Sequence, residues 1–180
     1  LPKTSADALF FGGISLMVEP CGAAYEAMML REASQRLTMI DPNIRPSFIT
    51  DEVAYRARLT RMLGVADIIK TSDEDLEWIL GEADANALLE TTGAHVILLT
   101  RGGDGLSIVT TRGAFDVPAE KAEVVDTVGA GDTFSAGFLA QLHKSGHLTK
   151  DAIGRASEAD FRAAAAFGAK VAAITVSRAG

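Results

Sequence analysis

Short apolar runs alternate with helical segments through the first half of the chain, and this alternation constrains the fold more than any other feature. The runs typical of buried strands are Ala8–Ile14, Leu37–Ile40, Ala66–Lys70 and His95–Thr100. The predicted helices between and beside them are Pro20–Gln35, Asp51–Leu63, Asp73–Leu80 and Asp84–Thr91. Because strand–helix–strand repeats build parallel sheets, the sequence predicts an α/β fold with helices on both faces of a mostly parallel sheet.

The second half of the chain predicts a hairpin followed by two long helices. Glycine-containing turns frame the hairpin strands Leu106–Thr110 and Ala114–Val117, and a β-like run follows at Ala122–Val125. The helices are predicted at Ala130–Lys144 and Glu158–Ala172. Gly137, inside the first of them, costs about 1 kcal/mol relative to alanine, so we expect it to pack closely on a neighbour.

Ligands of parallel sheets bind beyond the carboxyl ends of the strands, so the residues after each strand are the candidates for function. The loop Asp41–Phe48 follows the second strand, and its two prolines exclude regular structure. Asn43 and Arg45 lie in this loop. A planar guanidinium suits a phosphate or a carboxylate, and an arginine that only ties down an irregular loop is an equally good interpretation.

Two more turns follow strands. Ser72 and Asp75 have the spacing of a shortened capping box at a helix N-terminus, which is sufficient to explain both residues. After the fourth strand, Thr100, Gly102 and Gly105 form a glycine-rich turn. Such a turn is common in any sheet, but it also lets the backbone approach a flat base or a phosphate without a Cβ in the way.

The segment Asp126–Phe134 is the strongest candidate for chemistry. Gly129 and Gly131 leave the backbone bare where the long helix begins, so successive N–H groups can point at an anion at the positive end of the helix dipole. Asp132 repels such an anion, which requires a reason. It either accepts a proton from an attacking hydroxyl or merely favours the helix dipole.

Composition excludes several classes of protein. The 180 residues carry a net charge of −7, which argues against nucleic acid or an anionic membrane as a partner. The single cysteine, Cys21, rules out a disulfide framework, suits a reducing cytoplasm and is expected to be a small buried side chain. Three scattered histidines form no metal-ligand pattern.

The segment Asp126-Thr127-Val128-Gly129-Ala130-Gly131-Asp132-Thr133-Phe134, followed by Ser135-Ala136-Gly137-Phe138, resembles the C-terminal signature of the ribokinase-like (PfkB) sugar kinases. The loop Asp41–Phe48 is similar to the matching loop of the fructokinase branch. The resemblance implies a three-layer α/β/α fold. It covers essentially the whole chain but only the C-terminal portion of a family member, and the chain starts at Leu1 without a methionine, so we expect a fragment.

The resemblance also implies roles for individual residues. Asp132 is expected to be the catalytic base, with the amides of Gly129, Ala130 and Gly131 as the anion hole for the transferring phosphoryl group. Thr100, Gly102 and Gly105 match a motif that lies along the nucleotide. Asn43 and Arg45 match residues near the sugar and the phosphates.

Three positions depart from the family pattern. Ser72 and Asp75 stand where the family has Asn-x-x-Glu, which organises magnesium and phosphate through water. An outer-sphere role for Asp75 is therefore expected rather than direct metal contact. Ala169 stands where the family has an asparagine or histidine at the adenine pocket, so only a contribution to shape is expected there.

These matches imply a cytoplasmic kinase that transfers a phosphoryl group from ATP, with Mg²⁺, to a sugar primary hydroxyl. Fructose is the favoured substrate and 2-keto-3-deoxygluconate the main alternative, since Arg45 suits a carboxylate. Asp126 and the carbonyl of Val128 match half of a monovalent-cation site for K⁺. A homodimer is compatible with the resemblance. A non-catalytic kinase-like sensor is the alternative from another class, and the absence of Gly-x-Gly-x-x-Gly after the first strand counts against a dinucleotide-binding oxidoreductase.

Overall fold

The computed structural model describes residues 5–178, and a six-stranded sheet forms its framework. The strands are β1 (Ala8–Gly12), β2 (Leu37–Asp41), β3 (Ile68–Ser72), β4 (Val96–Thr100), β5 (Leu106–Thr110) and β6 (Gly113–Val117). They follow one another across the sheet in chain order. β1 to β4 pair in parallel, with Phe11 beside Ile40 and Ile69 beside Ile97. The predicted α/β class with a parallel sheet is confirmed.

The helices begin and end close to their predicted bounds. They are α1 (Cys21–Glu32), α2 (Glu52–Leu63), α3 (Asp73–Leu80), α4 (Ala85–Thr92), α5 (Ala130–Lys144), α6 (Lys150–Ile153) and α7 (Glu158–Val176). The first predicted strand is shortened because a 3₁₀ turn, Gly13–Leu16, begins where we expected its last residues. The short helix α6 was not predicted, and α7 continues one turn beyond the predicted Ala172.

The described chain forms two compact units. The first runs through Arg101 and resumes at Ser107–Phe115, and the second comprises Gly102–Leu106 and the chain from Asp116 onward. In the first unit, α1 to α4 share one apolar core with alternate residues of the sheet, including Phe11, Ile40, Ile69 and Ile97. One shared core is the result expected when sequential parallel strands are joined by right-handed crossovers, since these put successive helices on the same face.

The second unit is built around the packing of α5 on α7. A Cβ added to Gly137 would lie 2.4 Å from Val171 Cγ2, and one added to Gly168 would lie 2.8 Å from the carbonyl oxygen of Phe134. Neither position has room for a side chain, so the expected close packing of Gly137 is confirmed. The two helices approach closely because glycine removes the obstacle on both sides.

Two local predictions are wrong. The run Ala122–Val125 forms no strand: its residues are exposed, and the Val125 N–H donates instead to the carbonyl of Val176 at 2.7 Å. A β-like composition makes a strand only where a neighbouring strand supplies the ladder of hydrogen bonds. Cys21 is exposed rather than buried, because it lies at the first position of α1, ahead of that helix's buried face.

None of the described helices is both long enough and apolar enough to cross a membrane.

Candidate active site at the N-terminus of α5

The segment before α5 folds into a tight turn that leaves the start of the helix uncapped by any side chain. Gly129 is the N-cap and has a left-handed backbone, with φ of 77°. The Val128 N–H donates to Asp126 Oδ1 at 2.9 Å, and the Ala130 N–H donates to the Thr127 carbonyl at 3.2 Å. The turn therefore requires glycine at position 129, where a Cβ would strain the backbone.

The first turn of α5 presents open backbone donors. The N–H groups of Gly129, Gly131 and Asp132 have no acceptor among residues 5–178, as is usual for the first turn of a helix. The N–H of Ala130, by contrast, is used inside the turn. An anion at this position would meet three open amides and the positive end of the helix dipole, which is the environment predicted for a phosphate or a transferring phosphoryl group.

Asp132 lies beside these amides and is accessible. Its side chain is exposed at the third position of α5 and forms no salt bridge within residues 5–178. An accessible carboxylate with no counter-ion among the described residues can accept a proton from a hydroxyl that approaches the same anion site. The predicted base thus lies on the same helical turn as the open amides, while Ala130 departs from the predicted anion hole because its N–H donates to Thr127.

Asp126 has a structural role in this turn. One oxygen accepts the Val128 N–H, and its own N–H donates to the Val176 carbonyl at 3.1 Å, beside the bond from Val125. The segment before α5 is thereby tied to the end of α7. The role of Asp126 at a K⁺ site stays a prediction.

Candidate ligand loop of the first unit

The loop after β2 has its two candidate side chains exposed and its backbone anchored. Asn43 is exposed and has φ of 42°, a left-handed conformation that asparagine tolerates better than most residues. Arg45 is exposed as well, and its Nη1 donates to the Ile44 carbonyl at 2.9 Å. The guanidinium forms no salt bridge within the described part of the chain, so it can still meet an anion.

Asp75 and Ser72 form the predicted capping box at the start of α3. Ser72 Oγ accepts the Asp75 N–H at 3.1 Å, and Asp75 Oδ2 accepts the Ser72 N–H at 3.4 Å. The other carboxylate oxygen, Oδ1, accepts the N–H of Ile44 at 2.8 Å. This last contact joins α3 to the candidate loop across 31 residues of sequence, and the capping pattern alone does not predict it.

Sequence reasoning missed a buried ion pair at the same edge of the sheet. Lys70 Nζ donates to Asp41 Oδ2, and both residues are buried, at 7% and 5% exposure. Asp41 ends β2 and Lys70 lies in β3, so the pair holds the start of the candidate loop. A lysine at the end of a run of buried apolar residues was the available signal, because such a charge needs a partner.

A second missed group is the hydroxyl of Tyr55 in α2. It is buried and has no hydrogen-bond partner within residues 5–178. Burial raises the pKa of Tyr55 to about 12, and the negative charge of Asp75 contributes to the same shift. The core beside Asp75 therefore disfavours a second negative charge.

The remaining candidates have distinct environments. Thr100 pairs with Ser72 across the sheet, and its Oγ1 donates to the Thr71 carbonyl at 3.1 Å.

Gly102 is exposed with open space around its Cβ position, which permits approach of a ligand. Gly105 is buried, and a Cβ there would lie 2.3 Å from the Val117 carbonyl oxygen, so packing alone requires this glycine. Ala169 is half-buried on α7 and has no polar side-chain atom.

The described residues offer no cluster of side chains that could hold Mg²⁺ without ligands from a nucleotide or water. No group of three or more aspartate, glutamate, histidine or cysteine side chains that could hold a metal occurs among residues 5–178. Asp75, the acid expected to act on magnesium through water, is 6% exposed, and backbone amides engage both of its oxygens. A metal or its water at Asp75 would have to share a buried oxygen that already accepts a backbone amide.

Comparison with known proteins

A sheet with polar loops at its carboxyl edge, and a helix whose open amides lie beside an accessible carboxylate, are typical of α/β proteins that handle phosphate groups. Residues 3–180 match the pfkB family of carbohydrate kinases. The chain belongs to this family, which confirms the resemblance found in the sequence.

Relatives and solved structures agree with this assignment. A fructokinase of Rhizobium leguminosarum bv. trifolii is 46% identical over 159 residues, which is 87% of this chain and 49% of that protein. A fructokinase of Xylella fastidiosa with bound ATP has a TM-score of 0.86 at 24% identity, over 97% of this chain and 56% of that one. A double mutant of Vibrio cholerae O395 fructokinase has fructose, ADP and potassium ion bound. It has a TM-score of 0.83 at 22% identity, and the match covers 100% of this chain and 57% of that one.

The structural likenesses establish the ribokinase-like fold that the sequence predicted. The chain spans about half the length of the Rhizobium relative and of both solved chains.

Proposed function

We propose that this chain is the catalytic portion of an ATP-dependent sugar kinase that phosphorylates a primary hydroxyl, with fructose as the substrate. The observation that carries the proposal is Asp132, exposed on the first turn of α5 beside open backbone amides. The 46% identity with a fructokinase, and the fructose and ADP bound in the Vibrio cholerae relative, support the choice of sugar and nucleotide.

In the proposed reaction, Asp132 accepts the proton of the sugar hydroxyl while the oxygen of that hydroxyl attacks the γ-phosphorus of ATP. The bond from that phosphorus to the bridging oxygen breaks, and ADP leaves with the electron pair. The open amides of Gly129, Gly131 and Asp132 donate to the phosphoryl oxygens on which charge builds up. Preorganised donors of this kind typically contribute about 3 kcal/mol each to the stabilisation of a transition state.

The proposal assigns further roles to residues in the loop after β2 and around the end of β4. Asn43 and Arg45 contact the sugar or the phosphates, and Gly102 with Thr100 borders the nucleotide. We propose Mg²⁺ as the ion that accompanies ATP and K⁺ as an additional ion near Asp126. The potassium ion of the Vibrio cholerae structure supports the second choice. No step of the mechanism is assigned to Mg²⁺, since no group of three or more acids, histidines or cysteines that could hold it occurs among the described residues.

A panel of sugars tests the proposal. The full-length protein with ATP and Mg²⁺ is assayed for ADP release against fructose, 2-keto-3-deoxygluconate, ribose and adenosine. We expect release with fructose. Release only with 2-keto-3-deoxygluconate would replace fructose as the proposed substrate and would favour a carboxylate as the partner of Arg45. ATP binding without ADP release on any acceptor would favour a kinase-like sensor and overturn the proposal.

A further inference from the structure

The carboxylate of Asp75 is engaged by the backbone on both of its oxygens. Oδ1 accepts the Ile44 N–H at 2.8 Å, and Oδ2 accepts the Ser72 N–H at 3.4 Å. Asp75 and Ile44 are both 6% exposed. A buried N–H that donates to a charged acceptor makes a strong bond, and removal of the acceptor leaves the N–H unsatisfied away from water.

Ile44 lies directly between the two exposed candidates of the loop, Asn43 and Arg45. Each neighbouring Cα is only about 3.8 Å from that of Ile44. A hydrogen bond that fixes the Ile44 peptide therefore also restricts the Cα positions of Asn43 and Arg45. The geometry therefore lets Asp75 control the position of Asn43 and Arg45 without contact with a ligand.

The backbone of Asn43 needs such control. Its left-handed conformation, with φ of 42°, is uncommon for a residue other than glycine and persists where surrounding contacts determine it. The ion pair of Asp41 with Lys70 lies on one side of Asn43, and the bond of Ile44 to Asp75 lies on the other. The Arg45 N–H also contacts Met17 Sδ at 3.4 Å. Asn43 is thus held between anchored neighbours.

We propose that Asp75 is a positioning residue that sets sugar affinity by holding the loop of Asn43 and Arg45, and that it does not serve Mg²⁺. The proposal rests on the function proposed above. Both oxygens of the carboxylate accept backbone amides, and no group of three or more aspartate, glutamate, histidine or cysteine side chains that could hold a metal occurs among the described residues.

The test compares Asp75→Asn with Asp73→Asn in the full-length protein. Asparagine keeps the size of the side chain but loses its charge and one acceptor. Asp73, in the same first turn of α3, is half-buried and does not bond to the loop, so it controls for the loss of an acid from the helix N-terminus. For Asp75→Asn we expect the KM for the sugar to rise about tenfold, the scale of a lost charge-assisted hydrogen bond. The Mg²⁺ concentration for half-maximal activity should change less than twofold.

Amide hydrogen exchange supplies a readout that does not need activity. In Asp75→Asn the Ile44 amide should exchange at least tenfold faster, whereas Asp73→Asn should leave it unchanged. If the full-length protein phosphorylates no sugar, the proposed function fails, but Ile44 exchange still decides whether Asp75 holds the loop. Unchanged exchange at Ile44 would overturn the proposal.

A second variant covers the case in which Asp75→Asn does not fold. Asp75→Glu keeps the charge and an acid able to act on a metal through water, but it moves the carboxylate by one methylene. We expect Asp75→Glu to raise the sugar KM severalfold and to leave the Mg²⁺ requirement unchanged. A tenfold shift in the Mg²⁺ requirement with an unchanged sugar KM, in either variant, would assign Asp75 to the metal and overturn the proposal.

Discussion

Helices α3 and α5 both have an acid at the third position, and these two acids have opposite environments. In α3, Asp75 is buried, forms a capping box with Ser72 and accepts the Ile44 N–H. In α5, Asp132 is exposed, and no side chain caps the helix. The first helix start uses its donors and its acid for structure. The second keeps both available to a ligand.

The residue before each helix accounts for this difference. Ser72 supplies a hydroxyl that accepts the Asp75 N–H, whereas Gly129 has no side chain to offer and turns the chain with a positive φ. The cap stabilises α3 and occupies one of the amides that an anion would need. The uncapped α5 gives up that stabilisation and retains a place for a ligand.

The largest expected effect is at the open helix start. Asp132→Asn should lower turnover of the full-length protein about 10²- to 10⁴-fold, because asparagine cannot accept the hydroxyl proton. The affinity for ATP should change little, since the open amides remain. Turnover is measured as ADP release and affinity by calorimetry.

Asp73→Asn serves as the control for loss of an acid from a helix N-terminus. Near-normal turnover of Asp132→Asn would remove Asp132 as the base and reduce its role to the helix dipole.

A smaller effect is expected at the capped start. Ser72→Ala should lower the free energy of unfolding by about 1 kcal/mol, since the Asp75 N–H loses its acceptor. The matched change is Ser157→Ala in α7, where Ser157 and Asp160 form a second capping box. Urea denaturation measures both. A Ser72→Ala variant as stable as the natural protein would show that the cap of α3 contributes nothing, and the contrast with α5 would lose its energetic basis.

The smallest expected effect concerns Tyr55, whose buried hydroxyl is influenced by the charge of Asp75. Tyr55→Phe should change stability at neutral pH by no more than about 1 kcal/mol, because the hydroxyl it removes has no partner among the described residues. A larger decrease in the free energy of unfolding, measured by urea denaturation, would mean that the hydroxyl has a hydrogen-bond partner in solution and that its surroundings are polar.

The pH dependence of this variant adds a sharper test. Since the pKa of Tyr55 is raised to about 12 in the fold, the stability associated with its proton is complete below the usual tyrosine value of about 10. It is lost as the pH rises through 12. Between these values the natural protein should lose stability faster than Tyr55→Phe. If the free energy of unfolding fell equally with pH in the two proteins, Tyr55 would not be shielded from solvent beside Asp75.

Much of the fold followed from local patterns. The bounds of α3 and α5 agree with the predicted residues, and the Ser72 cap and the Gly129 turn each involve residues only a few positions apart. The parallel sheet followed from the alternation of strands and helices. The turn before Asp132 could also be predicted from the sequence, since the bonds of Val128 to Asp126 and of Ala130 to Thr127 join near neighbours in the chain.

The sequence by itself therefore determined most of the elements, the family and the glycine turn at the start of α5. Only the tertiary structure decided that Asp75 bonds to Ile44, that Lys70 pairs with Asp41, that Gly105 serves packing and that Ala122–Val125 is not a strand. The physical reason is the range of the interactions. Caps, turns and periodicity act over a few residues, whereas the bond of Asp75 to Ile44 joins residues 31 positions apart and forms only once the chain has folded.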